Sequence, residues 1–237
     1  MNCPAEYRFG LAGTMPGEPI EVARICAATD REILYQSTNE ELISEGWSAF
    51  PTIELQPLQY MPNYGSYYQA YDSMIRYNKS YAKIVADEVE NWHRDGKTTL
   101  VIVDRIAQGR DIENFLRCKD IKVYFLHGNL SGDFRADIFQ KMRDGRVSVV
   151  IASSIVDEGI DIPAIQVLVL AAGGKTWGRQ LQRVGRALRR KSGENRVTII
   201  DFIHNGNRYL EEHSLGRVEL YKQQGFEVKW RTILAVA

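Results

Sequence analysis

Five short apolar runs interleaved with amphipathic stretches fill residues 100–203, and this rhythm leaves few folds open. LVIVD (100–104), KVYFLHG (122–128), VSVVIASS (147–154), IQVLVLAA (165–172) and RVTIIDFI (196–203) are rich in β-branched residues and short enough for strands. Between the first two, GRDIENFLRC places Ile112, Phe115 and Leu116 at i, i+3 and i+4, on one helical face. SGDFRADIFQKMRDG reads as a second helix, with Ser131 or Asp133 as its N-cap and Gly145 as its stop. An arginine-rich helix precedes the last strand. Apolar runs alternating with amphipathic helices form βαβ units, so the chain is α/β, a parallel sheet with helices on both faces.

The flanks are less regular. NRYLEEHSLGRVELYKQQG reads as a helix ending at Gly225, and FEVKWRTILAV as a final strand-like segment. Near the N-terminus, YRFGLAGT suits a strand running into a turn, PIEVARICAAT a short helix, and Thr38 with Glu41 a capping box. FPTIELQPLQY is extended and carries two prolines, which suits an edge or linker strand. Residues 60–81 hold seven tyrosines, and a helix then runs to about Gly96. A tyrosine stripe stacks unpaired bases in some proteins and is more often the packed side of a helix.

Composition narrows the classes. With 44% hydrophobic and 25% charged residues in 237, the chain has the makeup of a globular protein of one large domain or a domain plus an appendage. Lys plus Arg equals Asp plus Glu, 30 each, so total charge announces no nucleic-acid binder. The stretch 175–196 differs: eight basic residues face one acid, Glu194. That block is either a solvated helix face or a local positive field for an anionic partner. Cys3, Cys26 and Cys118 form no CxxC, and His93, His127, His204 and His213 have no ligand spacing, so neither a disulfide frame nor a metal site is expected. No secretory leader pattern and no apolar run near 18 residues occur, so the expectation is no membrane and a reducing, cytoplasmic compartment, of a phage or bacterial host or its equivalent.

Gly174-Lys175-Thr176 raises the question of a phosphate-binding P-loop. That motif needs a glycine five positions before the second one, because the first lets the backbone wrap the phosphates. Here the position is Val169, inside a strand. GGKT is therefore no P-loop. The segment downstream is more specific: Gln182-Arg183-Val184-Gly185-Arg186-Ala187-Leu188-Arg189 sets Arg186 and Arg189 three apart on a helix, with Gly185 allowing close approach. Two permanently charged forks on one face suit a triphosphate whose γ-oxygens gain charge during transfer.

About thirty residues earlier stands IASSIVDEGIDIP (151–163). This resembles motif V of the superfamily 2 helicases, and QRVGRALR resembles their motif VI. LVIVDRIAQGRDI resembles motif IV, LHGNLSGDFRADIFQKMRDGRVSVV the connecting segment, and all four follow the family order over 98–203. EGIDIP and QRVGRALR are similar to the XPB-like and phage recombination or repair helicases rather than the DEAD-box proteins, which have His where Gln182 stands. YRFGLAGTMP resembles motif III at the end of the first RecA-like lobe, with Ala12 in place of the usual threonine. The implied division is a remnant of the first lobe and linker over 1–60, and the second RecA-like lobe over 61–237.

The resemblance implies roles. Arg186 and Arg189 are arginine fingers toward an ATP held by the other lobe, and Gln182 sits near the γ-phosphate or attacking water. Gly159, Asp161 and Gly185 belong to the nucleotide side, with Asp161 accepting from ribose hydroxyls unless it is only a turn acid before Pro163. Ser153 holds the place of the family's threonine and donates to a nucleic-acid phosphate. Arg105 and His127 follow strands at the same sheet edge and touch the strand's backbone, unless they are ordinary loop residues. Phosphate and sugar contacts carry little sequence preference.

The sequence contains no GxxxxGK[ST] and no DExH or DExD ahead of YRFGLAGT. The expectation is the C-terminal half of an ATP-dependent DNA helicase, inactive as an ATPase alone. Mg-ATP would be held mainly by a first lobe supplied in cis or in trans, and the partner would be DNA, single-stranded or branched, with RNA not distinguished. The alternative is a free-standing module that binds nucleic acid or a protein without ATP chemistry.

Overall fold

The computed structural model describes residues 9–10, 19–29, 34–35, 37–61, 65–153, 165–174 and 195–236. Eight described strands form one sheet, and every pairing is parallel. They are β1 (Phe50–Tyr60), β2 (Thr99–Ile102), β3 (Val123–Leu126), β4 (Val149–Ala152), β5 (Val167–Leu170), β6 (Arg196–Asn205), β7 (Glu227–Trp230) and β8 (Leu234–Val236). The order across the sheet is β3-β4-β2-β5-β6-β1-β7, with β8 also on β1. The described helices are α1 (Pro19–Ala28), α2 (Asn39–Ser44), α3 (Tyr67–Tyr71), α4 (Lys79–Arg94), α5 (Ile106–Arg117), α6 (Gly132–Arg143) and α7 (Arg208–Gln223), and a π turn (Asp72–Arg76) continues α3.

Strand alternation divides the interior into two apolar layers. Ile53, Leu55, Leu100, Val150, Leu168 and Ile199 face one side, where α6 and α7 supply Ile138, Phe139, Val218 and Tyr221. Val101, Phe125, Ile151, Val169, Ile200 and Phe202 face the other, covered by Met74 and Ile75 of the π turn, Tyr81 and Val85 of α4, and Ile112 and Leu116 of α5. This is the α/β sheet with helices on both faces that the rhythm predicts. The expected helix starts also hold: Ser131 Oγ accepts from the Phe134 N–H at 3.3 Å, and Thr38 and Glu41 form the reciprocal capping box at 3.1 and 2.8 Å.

Residues 50–60 correct the expectation of an edge or linker strand. β1 lies inside the sheet, paired with β6 along its length and with β7 and β8 on its other side. The register explains how two prolines are accommodated. In a parallel strand each residue turns its N–H and C=O toward one neighbour, and the next residue toward the other. The Phe50 N–H donates toward β6, to Asn195 O at 2.9 Å, while Leu55 O accepts from the Arg231 N–H at 2.9 Å on the opposite side. Odd-numbered residues therefore face β7 and β8. Pro51 precedes the first β7 partner, Thr52, and Pro57 falls between Leu55, the last β7 partner, and Leu58, the first for β8. Neither missing N–H breaks a ladder bond. The sheet thus begins before residue 61, where the sequence division set the lobe's start. The final segment also makes two short strands instead of one.

The tyrosine stripe splits. Tyr60, Tyr71 and Tyr81 are buried, whereas Tyr68 and Tyr77 are exposed. Tyr64 and the motif III resemblance at 7–16, apart from Phe9 and Gly10, lie outside the described residues.

Candidate functional site

Because the strands all run one way, the segments leaving β2, β3, β4, β5 and β6 gather at one edge of the sheet, where α/β folds bind their ligands. In spatial order the edge presents His127 after β3, Ser153 after β4, Asp104 and Arg105 after β2, Ala171 to Gly174 after β5, and His204 near the end of β6. The structure thus brings Ser153, Arg105 and His127 to neighbouring positions on one edge. Arg186, Arg189, Gln182, Gly159, Asp161 and Gly185 lie outside the described residues, within 154–164 and 175–194. Those two segments leave from Ser153 and from Gly174, both on this edge.

The three described residues differ in access. Arg105 opens α5 as its N-cap, half exposed, and among the described residues pairs with its neighbour Asp104, Nε to Oδ2 at 3.3 Å. An exposed pair of this kind contributes about 0–1 kcal/mol, so a phosphate can displace it. Ser153 is buried, its N–H donating to Leu126 O at 3.0 Å. His127 is 7% exposed, its ring edge-on to Phe125 at 5.1 Å and its Nε2 3.4 Å from Arg110. Its Nδ1 is buried with no partner among the described residues. The cation open to solvent beside it is Arg110, over the Phe125 ring at 5.5 Å and paired with Glu113 at 3.0 Å. Sequence reasoning passed over Arg110, whose signal was a second arginine on the helix that Arg105 opens. Gly109 permits this packing: a Cβ there would meet Phe125 Cζ at 2.3 Å.

The turn after β5 is held from several sides. Gly173 and Gly174 adopt φ of 57° and 100°, a left-handed conformation that favours glycine. The Ala171 carbonyl accepts from Tyr81 Oη at 2.8 Å and Gln108 Nε2 at 2.7 Å. The Tyr71 hydroxyl lies 2.9 Å from both the Ala172 carbonyl and Asp104 Oδ2. Burial and the Asp104 charge both push the Tyr71 hydroxyl's pKa upward, so it stays protonated and donates. Gly174 O accepts from Arg217 Nη1 at 3.3 Å. Beneath the turn, His204 Nδ1 meets Tyr60 Oη at 3.1 Å; burial, aided by the Arg217 charge, depresses its pKa to about 3, and the ring is neutral. Sequence reasoning read Asp104 only as the end of a strand and left Tyr71 among seven similar residues, because the contact between them is made only by the fold.

The sequence of residues 80–191 matches the family model of the helicase conserved C-terminal domain. These residues are a helicase C-terminal domain. The chain carries the C-terminal, RecA-like lobe of the superfamily 2 helicases, as the motif order led us to expect. Among similar proteins are the putative DNA 3'-5' helicase Rad25 of Halobacterium salinarum, 27% identical over 94% of this chain and 36% of that protein, and the ATP-dependent DNA helicase uvsW of Enterobacteria phage T4, 21% identical over 98% of this chain and 50% of that protein. The chain therefore spans half or less of these relatives. The crystal structure of T4 UvsW shares the fold, with a TM-score of 0.67 and 21% identity over 79% of this chain and 42% of that one. Among the described residues no helix of this helicase domain is long and apolar enough to cross a membrane.

Proposed function

We propose that the chain is the second RecA-like lobe of an ATP-dependent DNA helicase or translocase, acting on single-stranded or branched DNA in repair or recombination. Arg186 and Arg189 serve as arginine fingers, with Gln182 beside the γ-phosphate and Gly159, Asp161 and Gly185 on the nucleotide side. Ser153, Arg105 and His127 form the face toward the nucleic-acid backbone. Mg-ATP is held mainly by a first lobe in cis or in trans, and the chain alone hydrolyses no ATP. When bound, ATP supplies the transferable γ-phosphate; the fingers answer the charge that develops on it, a contribution worth 10³- to 10⁵-fold in rate for such arginines.

One observation carries this reading. The segments bearing the motif V and motif VI resemblances depart from the same sheet edge as Arg105, two strands of that edge apart at most. His127 takes part through its position more than its surface, since it is buried, and Arg110 supplies the exposed charge there.

The test is ATPase activity with single-stranded and forked DNA, for this chain alone and for a mixture with a separately expressed first lobe. Turnover only in the mixture, abolished by Arg186→Ala, is the expected outcome. Turnover by the chain alone defeats the proposal. Silence in both, with salt-dependent DNA binding retained, favours a binding module without ATP chemistry.

A further inference from the structure

Resting on the nucleic-acid reading of Arg105, we infer that Tyr71 is a positioning residue: its one hydroxyl proton, shared between Asp104 and the Ala172 carbonyl, links the strand-binding face to the turn that begins the 175–194 segment. Three facts carry this. The hydroxyl is equidistant, 2.9 Å, from Asp104 Oδ2 and Ala172 O, and has one proton for two acceptors. The same Oδ2 is the atom that Arg105 Nε approaches at 3.3 Å. And Ala172 immediately precedes the two left-handed glycines from which the segment leaves.

With Arg105 on Asp104, part of the carboxylate's charge is answered and the Tyr71 proton serves both acceptors. A phosphate that draws Arg105 away leaves Oδ2 a stronger acceptor, because hydrogen bonds to unanswered charge are stronger than those to neutral carbonyls. The proton then turns to Asp104 and withdraws a donor from Ala172, loosening the turn. Tyr71 is itself buried and does not need to touch the nucleic acid. Tyr67 stands beside it, ring centroids 5.8 Å apart, and a Cβ on Gly174 would meet the Tyr67 hydroxyl at 3.2 Å and Tyr71 Cε2 at 3.8 Å.

The experiment is hydrogen–deuterium exchange of the amides of 172–174 in the full chain, with and without a saturating single-stranded oligothymidylate, and binding of the same oligonucleotide measured in parallel. The native chain should exchange roughly fivefold faster when bound, the factor that a typical net hydrogen bond amounts to. Arg105→Ala should show the faster exchange with no oligonucleotide present. Tyr71→Phe, which keeps the packed ring, should exchange fast in both conditions, and its thermal midpoint checks that it is folded. Binding by the native chain with unchanged exchange, slow exchange in Arg105→Ala, or a native response in Tyr71→Phe each overturns the inference while leaving the nucleic-acid reading in place. No binding by the native chain overturns that reading and the inference with it.

Discussion

Arg217 on α7 and Asp201 on β6 form a fully buried ion pair, Nε to Oδ2 at 2.8 Å and Nη2 to Oδ1 at 3.0 Å. Tyr221 Oη donates to the same Oδ2 at 2.6 Å, and the remaining guanidinium N–H groups reach the carbonyls of Phe202, Gly174 and His213. Burial opposes the arginine's charge, but Asp201 outweighs it and raises the pKa. A pair satisfied this completely fixes α7 to the sheet and to the turn after β5.

Removing one partner strands the other. Asp201→Asn should destabilise the domain by roughly 3–5 kcal/mol, read from urea unfolding. Asp201→Asn combined with Arg217→Met should cost less than the single change, since no uncompensated charge remains. A double variant as unstable as the sum of its parts would refute this account of the pair.

His204 makes stability depend on pH. Its folded pKa is about 3, below the ordinary 6.5, so the unfolded chain binds the extra proton between those values. Stability is fully present above about 6.5 and is lost as pH falls toward 3, at about 1.4 kcal/mol per pH unit below roughly 6. His204→Gln should flatten this slope by one proton, and equal slopes for the two proteins would contradict it.

Gly109→Ala tests the contact of α5 with β3. The new methyl meets Phe125 at 2.3 Å and must push the ring against His127. Overpacking of this sort costs about 1–3 kcal/mol, although alanine favours helices. A thermal midpoint equal to or above the native one would show that the ring shifts freely.

Arg105→Ala should weaken DNA binding equally for all sequences and lower the slope of log affinity against log salt by about 0.7, one phosphate contact to a single strand. Titrations at three salt concentrations decide this. An unchanged slope removes Arg105 from the interface.

The sheet was legible in the sequence because its signals are local. The runs at 100–104, 122–128, 147–154, 165–172 and 196–203 each overlap a strand, and the caps at Thr38 and Ser131 depend on residues three apart. What escaped depends on distant partners. Whether Pro51 and Pro57 can sit inside a sheet is decided by where β7 and β8 begin, about 175 residues later. Asp104 and Tyr71 gain meaning only when α3 folds over β2, and no periodicity reports that. The motifs at 151–163 and 182–189 were legible as resemblance, and apart from Ile151, Ala152 and Ser153 their residues lie outside the described ones.

The interior placement of β1 has a consequence for how the chain reaches its fold. Its partner strand arrives late: 144 residues separate Tyr60 from His204. Until it arrives, residues 50–60 lack the neighbours of both ladders, the condition in which strands pair with the wrong neighbour. Pro51 and Pro57 interrupt the donors on the side that β7 and β8 cover last. A strand without those N–H groups is a poorer template for another copy of itself, and the finished sheet loses no ladder bond.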